Sequence, residues 1–248
     1  MNSKLLKQRN LSELSDSQFD LYKNSITSAF PKLIFKSHAI QNYWERLEKY
    51  FPDYQLLLIN EDEDVIGSIN TIPFFWDRPL SELPDEGWDW MLEKGVTDHE
   101  NNLAPNFLGG LQVIVRKKYQ GEGYSKWLIE SGKQRMKEAG FDHLLIPIRP
   151  TFKHKHPQMK MEEYMQLKTD GVLYDPWIRT HTKSGAQIIR VCTHSMTIKG
   201  DLQYWEGILG QKIKHSGPFI ADGGLNPVFI RFEDDLGIYI EENIWICY

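Results

Sequence analysis

At 248 residues, 41% of them apolar, the chain is long enough for one large domain or two small ones with a packed core. A formal charge of −5 gives no global attraction to nucleic acid or to an anionic membrane. The two cysteines, Cys192 and Cys247, are too far apart in sequence for a zinc knuckle or a disulfide framework and read as reduced thiols. Charge is unevenly spread, however: residues 116–160 hold eleven Lys or Arg against four acids. The first ten residues are polar and lack the apolar core of a secretory signal. No run approaches the ~18 apolar residues of a membrane span. The expected compartment is the cytoplasm.

Residues 17–50 carry a helical period interrupted at Pro31, through Phe19, Tyr22, Ile26 and Ala29 and then Tyr43, Leu47 and Tyr50. Apolar runs at 55–60 and 65–75, on either side of the acidic turn 61–64, predict an antiparallel hairpin. Between 77 and 105, prolines, acids and scattered apolar clusters show no clean period, which predicts an inserted loop with at most one short helix. Residues 106–116 alternate weakly around Leu108, Leu111, Val113 and Val115. Gly109 and Gly110 there mark a bulge or the close approach of another backbone. A helix over about 123–139 follows, with Tyr124, Leu128, Gly132 and Met136 on one stripe and Gly140 at its C′ position. A buried strand at 142–148 completes what the spacing predicts to be a right-handed βαβ unit.

After a basic loop come a short helix near 158–168, a helix begun by Asp175 and Pro176 and ended at Gly185, and a strand over 187–195. The last fifty residues alternate short apolar runs at 228–232, 238–240 and 244–246 with Gly, Asp and Pro, and read as a β-rich tail. The reading is one α+β domain over 1–248 with appended elements.

The stretch that carries chemistry is Gln120, Gly121, Glu122, Gly123, Tyr124, Ser125, between the expected central strand and its helix. A glycine-rich turn opening a helix presents unpaired amides and the positive end of the helix dipole to an anion. His154 and His156 have the spacing of a minimal metal hook, but Lys153 and Lys155 beside them oppose a cation, so a solvated basic loop is expected and no metal. The eight tryptophans read as core or loop anchors, some of them available to line a pocket.

The run 115–125 resembles the acetyl-CoA-binding signature of the GCN5-related N-acetyltransferase (GNAT) superfamily: a basic or Gln position, two residues, Gly, one residue and a small residue after a strand. The Asp175 helix and the strand after it are similar to a later pair of elements in that superfamily. The resemblance covers about 55–195. It implies a mixed, mostly antiparallel, twisted sheet flanked by helices, with a splayed central strand pair. A helical extension over 1–54, the insertion that begins at Asp77 and a β-rich extension over 200–248 would shape the acceptor pocket. It further implies acetyl-CoA or another acyl-CoA as co-substrate. The amides of Gly121, Glu122, Gly123, Tyr124 and Ser125 would hold the pyrophosphate, helped by Gln120 and by Arg116, Lys117 and Lys118. The pantetheine arm would pair with the strand through Val113 and Val115, and an N–H near Val113 would polarise the thioester carbonyl.

The implied reaction is direct acyl transfer to an amine of a small-molecule acceptor, with neither membrane nor nucleic acid as partner. Counting back four residues from Gly185 places His181 where many members carry a tyrosine acid. No carboxylate lies on 107–115, so His194, Asp175 and Glu241 stand as candidate bases. Arg149 is open to three readings: a contact to an acidic acceptor, a contact to the CoA 3′-phosphate, or an ion pair. Two other functions compete, a non-catalytic CoA-binding module and a transferase that takes its group from aminoacyl-tRNA, the latter because of the basic segment. Oligomeric state is not legible.

Overall fold

In the computed structural model, which describes residues 6–248, the chain opens on an edge strand, β1 (Lys7–Asn10). Residues 1–5, part of the polar leader read above as lacking a secretory signal, lie outside the described residues. Two helices follow, α1 (Asp16–Ala29) and α2 (His38–Tyr50), separated around Pro31 as the periodicity indicates. A capping box starts α1: the Gln18 N–H donates to Ser15 Oγ, and the Gln18 side chain accepts from the Ser15 N–H.

The expected hairpin is present as β2 (Gln55–Ile59) and β3 (Val65–Phe74), antiparallel and buried throughout. Both faces are covered, so the apolar runs show no alternation. Leu57, Ile59 and Val65 pack with Tyr22 and Ile26 of α1. From the opposite face, Leu56, Leu58, Ile66 and Ile69 pack with Leu128.

The segment 77–105 departs from expectation, since it holds a 14-residue helix, α3 (Gly87–Glu100). Trp88, Met91, Leu92 and Val96 form its buried stripe. Gly95 lets the helix lie directly on β3, because a Cβ there would stand 2.4 Å from Ile72 Cγ1. Next come β4 (Phe107–Val115), α4 (Tyr124–Glu138) and β5 (His143–Ile148), with β4 and β5 parallel. They are followed by α5 (Met161–Tyr164), the small pair β6 (Lys168–Thr169) and β7 (Val172–Leu173), and α6 (Pro176–Lys183). Asp175 caps α6, accepting from the Trp177 and Ile178 amides. The strand after it, β8 (Gln187–Gly200), runs five residues beyond the expected end.

The residues after 200 are not a peripheral tail. They contain a helix, α7 (Leu202–Leu209), capped by Asp201 and followed by Gly210 at φ 65°. Then come β9 (Gly217–Phe219), β10 (Val228–Arg231) and β11 (Leu236–Cys247). The last joins two apolar runs into one strand that pairs antiparallel with β5, β8 and β10. The nine-stranded sheet has the order β1-β2-β3-β4-β5-β11-β10-β9, with β8 also on β11. Among the described residues no helix is long and apolar enough to cross a membrane.

At Gly67 on β3, a Cβ would stand 2.2 Å from the Ile114 carbonyl oxygen. Paired backbone yields little, so Gly67→Ala is expected to lower unfolding stability by about 2 kcal/mol or more. An unchanged denaturation midpoint would contradict this packing.

Candidate active site

Gly121 and Gly123 have φ of 86° and 85°, in the left-handed region that glycine enters without strain. A Cβ at either position would meet nothing within 4 Å, so conformation rather than crowding requires glycine, and the space over the turn is open. Gly123 is the N-cap of α4 and no side chain caps that end. The Lys126 N–H donates to the Gly123 carbonyl at 3.1 Å, whereas the Tyr124 and Ser125 amides have no partner within the helix and stand at the positive end of its dipole.

β4 and β5 pair only where Phe107, Leu108 and Gly109 meet His143, Leu144 and Leu145. Beyond that point β4 stays paired to β3 and β5 to β11, so the two strands diverge toward their C-terminal ends. A bulge lies where the divergence begins: Thr71 pairs with Gly110 and Asn70 with Gln112, leaving Leu111 over. The extra residue exchanges the faces of the strand. Phe107 and Leu111 pack in the cluster under α3, whereas Val113 and Val115 pack in the cluster under α4. Trp88 Nε1 donates to the Leu111 carbonyl at 2.7 Å, which satisfies this bulge group.

A cavity of about 1120 Å³ occupies this wedge, with walls from both faces of the sheet. Val113, Val115, Gln120, Gly121, Gly123, Tyr124 and Ser125, all expected at a cofactor site, line it. Glu122 does not; it is exposed beside Tyr124. Arg116 and Lys118 are also corrected, because both pair with Asp64, which accepts from Tyr119 Oη as well, at 2.6 Å. Partial burial opposes ionisation of Asp64, yet the hydrogen bonds from Lys118, Tyr119 and Arg116 hold its carboxyl at about 2. Both cations are thereby engaged by Asp64, and the groups left open at the turn are backbone amides, with Lys117 exposed nearby.

The other wall is apolar, through Ile26, Phe30, Ile34, Trp44, Trp88 and Met196. The Trp44 and Trp88 rings stack at 6.2 Å with 9° between planes. Polar side chains interrupt it, among them Gln112, Arg149, Asp222, Glu241 and Asn243. Arg149 follows β5 and meets the fully buried Glu241 at 2.9 Å, so of the three readings left open the ion pair is present. Burial disfavours the guanidinium charge, but Glu241 and Tyr239 outweigh it and hold the Arg149 pKa above its ordinary value. Behind this wall Ser37 Oγ and the Thr197 N–H donate to Asp89, whose carboxyl burial pushes up to about 6.

No protein-family model matches this sequence. Among curated proteins, arginine N-acetyltransferase avaD of Aspergillus versicolor is 29% identical over 254 aligned positions, covering 91% of this chain and 87% of its own. Among solved structures, the loading GNATL domain of CurA from Lyngbya majuscula superposes with a TM-score of 0.57 at 17% identity, covering 100% of this chain and 98% of that one. The GNAT-like decarboxylase GphF, solved in complex with isobutyryl-CoA, gives 0.54 at 11% identity, covering 98% of each chain. These likenesses show that the chain has the GNAT fold.

Within the GNAT fold the expected acid is displaced. His181 is fully buried and absent from the cavity wall, while its α6 neighbours Pro176, Trp177 and Thr180 are present there. Its Nδ1 lies 2.7 Å from Tyr248 Oη, its ring packs on Trp177 at 4.2 Å, and its Nε2 has no partner. The count from Gly185 thus points one residue past the cavity-facing position, which is Thr180, whose Oγ1 donates to the Pro176 carbonyl at 2.8 Å. Of the candidate bases, only Glu241 lines the cavity. Asp175 is a structural cap that also accepts from the Phe152 N–H and Tyr164 Oη. His194 is exposed, with Nδ1 beside Thr193 Oγ1. Among the described residues no cluster of three His, Cys, Asp or Glu side chains is arranged to hold a metal ion, and His154 Nδ1 sits against the Thr151 carbonyl.

Burial drives the His181 pKa down to about 3. A group depressed below its unfolded value of about 6.5 contributes stability above that value and loses it as pH falls toward the folded pKa. Wild type is therefore expected to lose up to about 4 kcal/mol relative to His181→Gln between about pH 6.5 and about pH 3. Denaturant titrations across that window test this; parallel profiles for the two proteins would contradict it.

Proposed function

We propose that the protein is an acyl-CoA-dependent N-acyltransferase that moves an acyl group, acetyl in the first instance, directly from the thioester to an amine of a small molecule. The observation that carries the reading is the strand pair that opens after Gly109 and Leu145 onto a cavity reaching the uncapped head of α4. A pyrophosphate at that helix end sends the pantetheine arm into the wedge, where its amides meet the free edge of β4 as an added strand would. The thioester then lies near the Leu111 bulge. Its carbonyl is polarised by a β4 amide, and the acceptor approaches from the apolar wall on the opposite face.

The departing thiolate needs only modest help, since free thiols ionise near pH 8.5. The thiolate takes up the proton that the acceptor amine releases, leaving amide and free thiol; Thr180, on the cavity side of α6, is the group proposed to hydrogen-bond it on the way, by turning its Oγ1–H from the Pro176 carbonyl to which it donates at 2.8 Å. Glu241 is not assigned as the base, because both its oxygens are occupied by protein donors. The relative named for arginine makes arginine the first acceptor to try. Two buried free cysteines support the reading of a reducing, cytoplasmic compartment.

Calorimetric titration with acetyl-CoA is expected to show micromolar or tighter binding. Gly123→Val, which forces a β-branched residue to φ near 85°, is expected to weaken it at least about tenfold. Thiol release with a panel of amines separates a transferase from a passive CoA binder. Tight binding without acetyl-CoA turnover on any amine would leave only the binder.

A further inference from the structure

We propose that Arg149 receives a carboxylate carried by the acceptor, so that the acceptor is an amino acid, or another amine with a carboxylate close to its nucleophilic nitrogen. The inference rests on the acyl transfer proposed above and concerns the opposite face of the same cavity.

Arg149 follows the last residue of β5. Along that strand Ile146 and Ile148 pack on the α4 and α6 side, whereas Leu145 packs under α3. Continued alternation sends Arg149 to the α3 side, where the apolar wall lies. A guanidinium has five N–H donors. Three of them are committed: Nε to Glu241 Oε1 at 2.9 Å, and Nη2 to Glu241 Oε2 at 3.1 Å and to the Gly223 carbonyl at 2.6 Å. Among the described residues Nη1 makes no hydrogen bond within 3.5 Å, although Tyr239 also lies against the guanidinium. The side chain is 21% exposed and forms part of the cavity wall.

Glu241 cannot be the ligand-binding partner. Besides Arg149 it accepts from Tyr239 Oη at 2.6 Å and from Asn243 Nδ2 at 3.4 Å, so each oxygen has two donors. Its function here is to fix the plane of the guanidinium and aim the free edge. A buried ion pair adds little to stability over a well-packed apolar pair, so a pair set in a cavity wall with one unused donor edge is better explained by what that edge binds. Gln112 supplies the complement on the same cavity. Its Nε2 donates to Asn70 Oδ1 at 2.8 Å, which leaves Oε1 as an acceptor for an amine N–H. A cationic fork and a carbonyl oxygen on one cavity offer complements to a carboxylate and to an amine.

The test compares each acceptor with its carboxyl-free counterpart, such as arginine with argininamide and with the decarboxylated amine. In wild type, loss of the carboxylate is expected to raise KM about tenfold or more. In Arg149→Met/Glu241→Gln, which orphans no buried charge, the preference is expected to fall to about twofold or less while acetyl-CoA affinity is retained. Arg149→Lys, which keeps the ion pair but loses the fork, is expected to give the same collapse if the double variant does not fold. Equal KM for acid and amide in wild type, or a preference that survives in either variant, overturns the assignment. So does a variant effect confined to succinyl-CoA against acetyl-CoA, which would place the carboxylate on the donor. Calorimetric binding of the amino acid with CoA present makes the same comparison without turnover. Absence of transfer then counts against the enzymatic reading, whereas equal affinity for acid and amide counts against this one.

Discussion

The ladder between β4 and β5 stops after Gly109 and Leu145, and the peptide groups of β4 beyond it have no strand on that side. Peptide groups out of reach of water cost about 1–3 kcal/mol each when unpaired, so an open edge inside a sheet persists only where neighbours prevent closure and a ligand or solvent can satisfy it. Several features keep this one open. β5 is committed to β11 along its far side, and β4 is committed to β3. At the apex, a Cβ on Gly110 would stand 2.7 Å from Ile146 Cγ1, so the strands already touch where they part. The Leu111 bulge then reverses the faces of β4, directing Val113 and Val115 toward the glycine turn and Gln112 toward the opposite chamber.

The two halves of the cavity have different origins in the chain. The side proposed for phosphate is local: strand, turn and helix are contiguous from β4 through α4, and its distinguishing feature is a helix end without a side-chain cap. The acceptor side is assembled from distant pieces, with α1 and α2 contributing Ile26 and Trp44, α3 contributing Trp88 and β11 contributing Glu241 and Asn243. Hydrogen bonds tie these pieces to the bulge. Asn243 Oδ1 accepts from Ser195 Oγ, the same Oγ accepts from the Trp88 N–H, and the Trp88 indole holds the Leu111 carbonyl. The wedge is thus braced from the apolar chamber, so that the proposed acceptor and donor sites share one scaffold.

This division explains what the sequence made legible. The glycine turn and its βαβ setting were readable because backbone conformation is written locally: φ above zero at Gly121 and Gly123 demands glycine. The acceptor chamber was not, because its side chains meet only through tertiary pairing. The helix α3 was obscured by Pro79, Pro84 and Gly95, although Trp88, Met91, Leu92 and Val96 already stood at helical steps. In α7, the Asp201 cap and Gly210 were visible signals, masked by the short apolar runs around them. β1 has no apolar alternation because it is a polar edge strand against β2. His181 shows the limit of counting along a motif: one residue of offset on a helix is about 100°, enough to turn a side chain from cavity to core.

Amide hydrogen exchange, followed residue by residue with and without saturating acetyl-CoA, tests the open edge most directly. Exchange is expected to slow at residues 110–115 and 121–125 on binding, as the pantetheine arm and the pyrophosphate take up those amides, with little change along β2. Unaltered exchange at both segments under saturation would contradict the account.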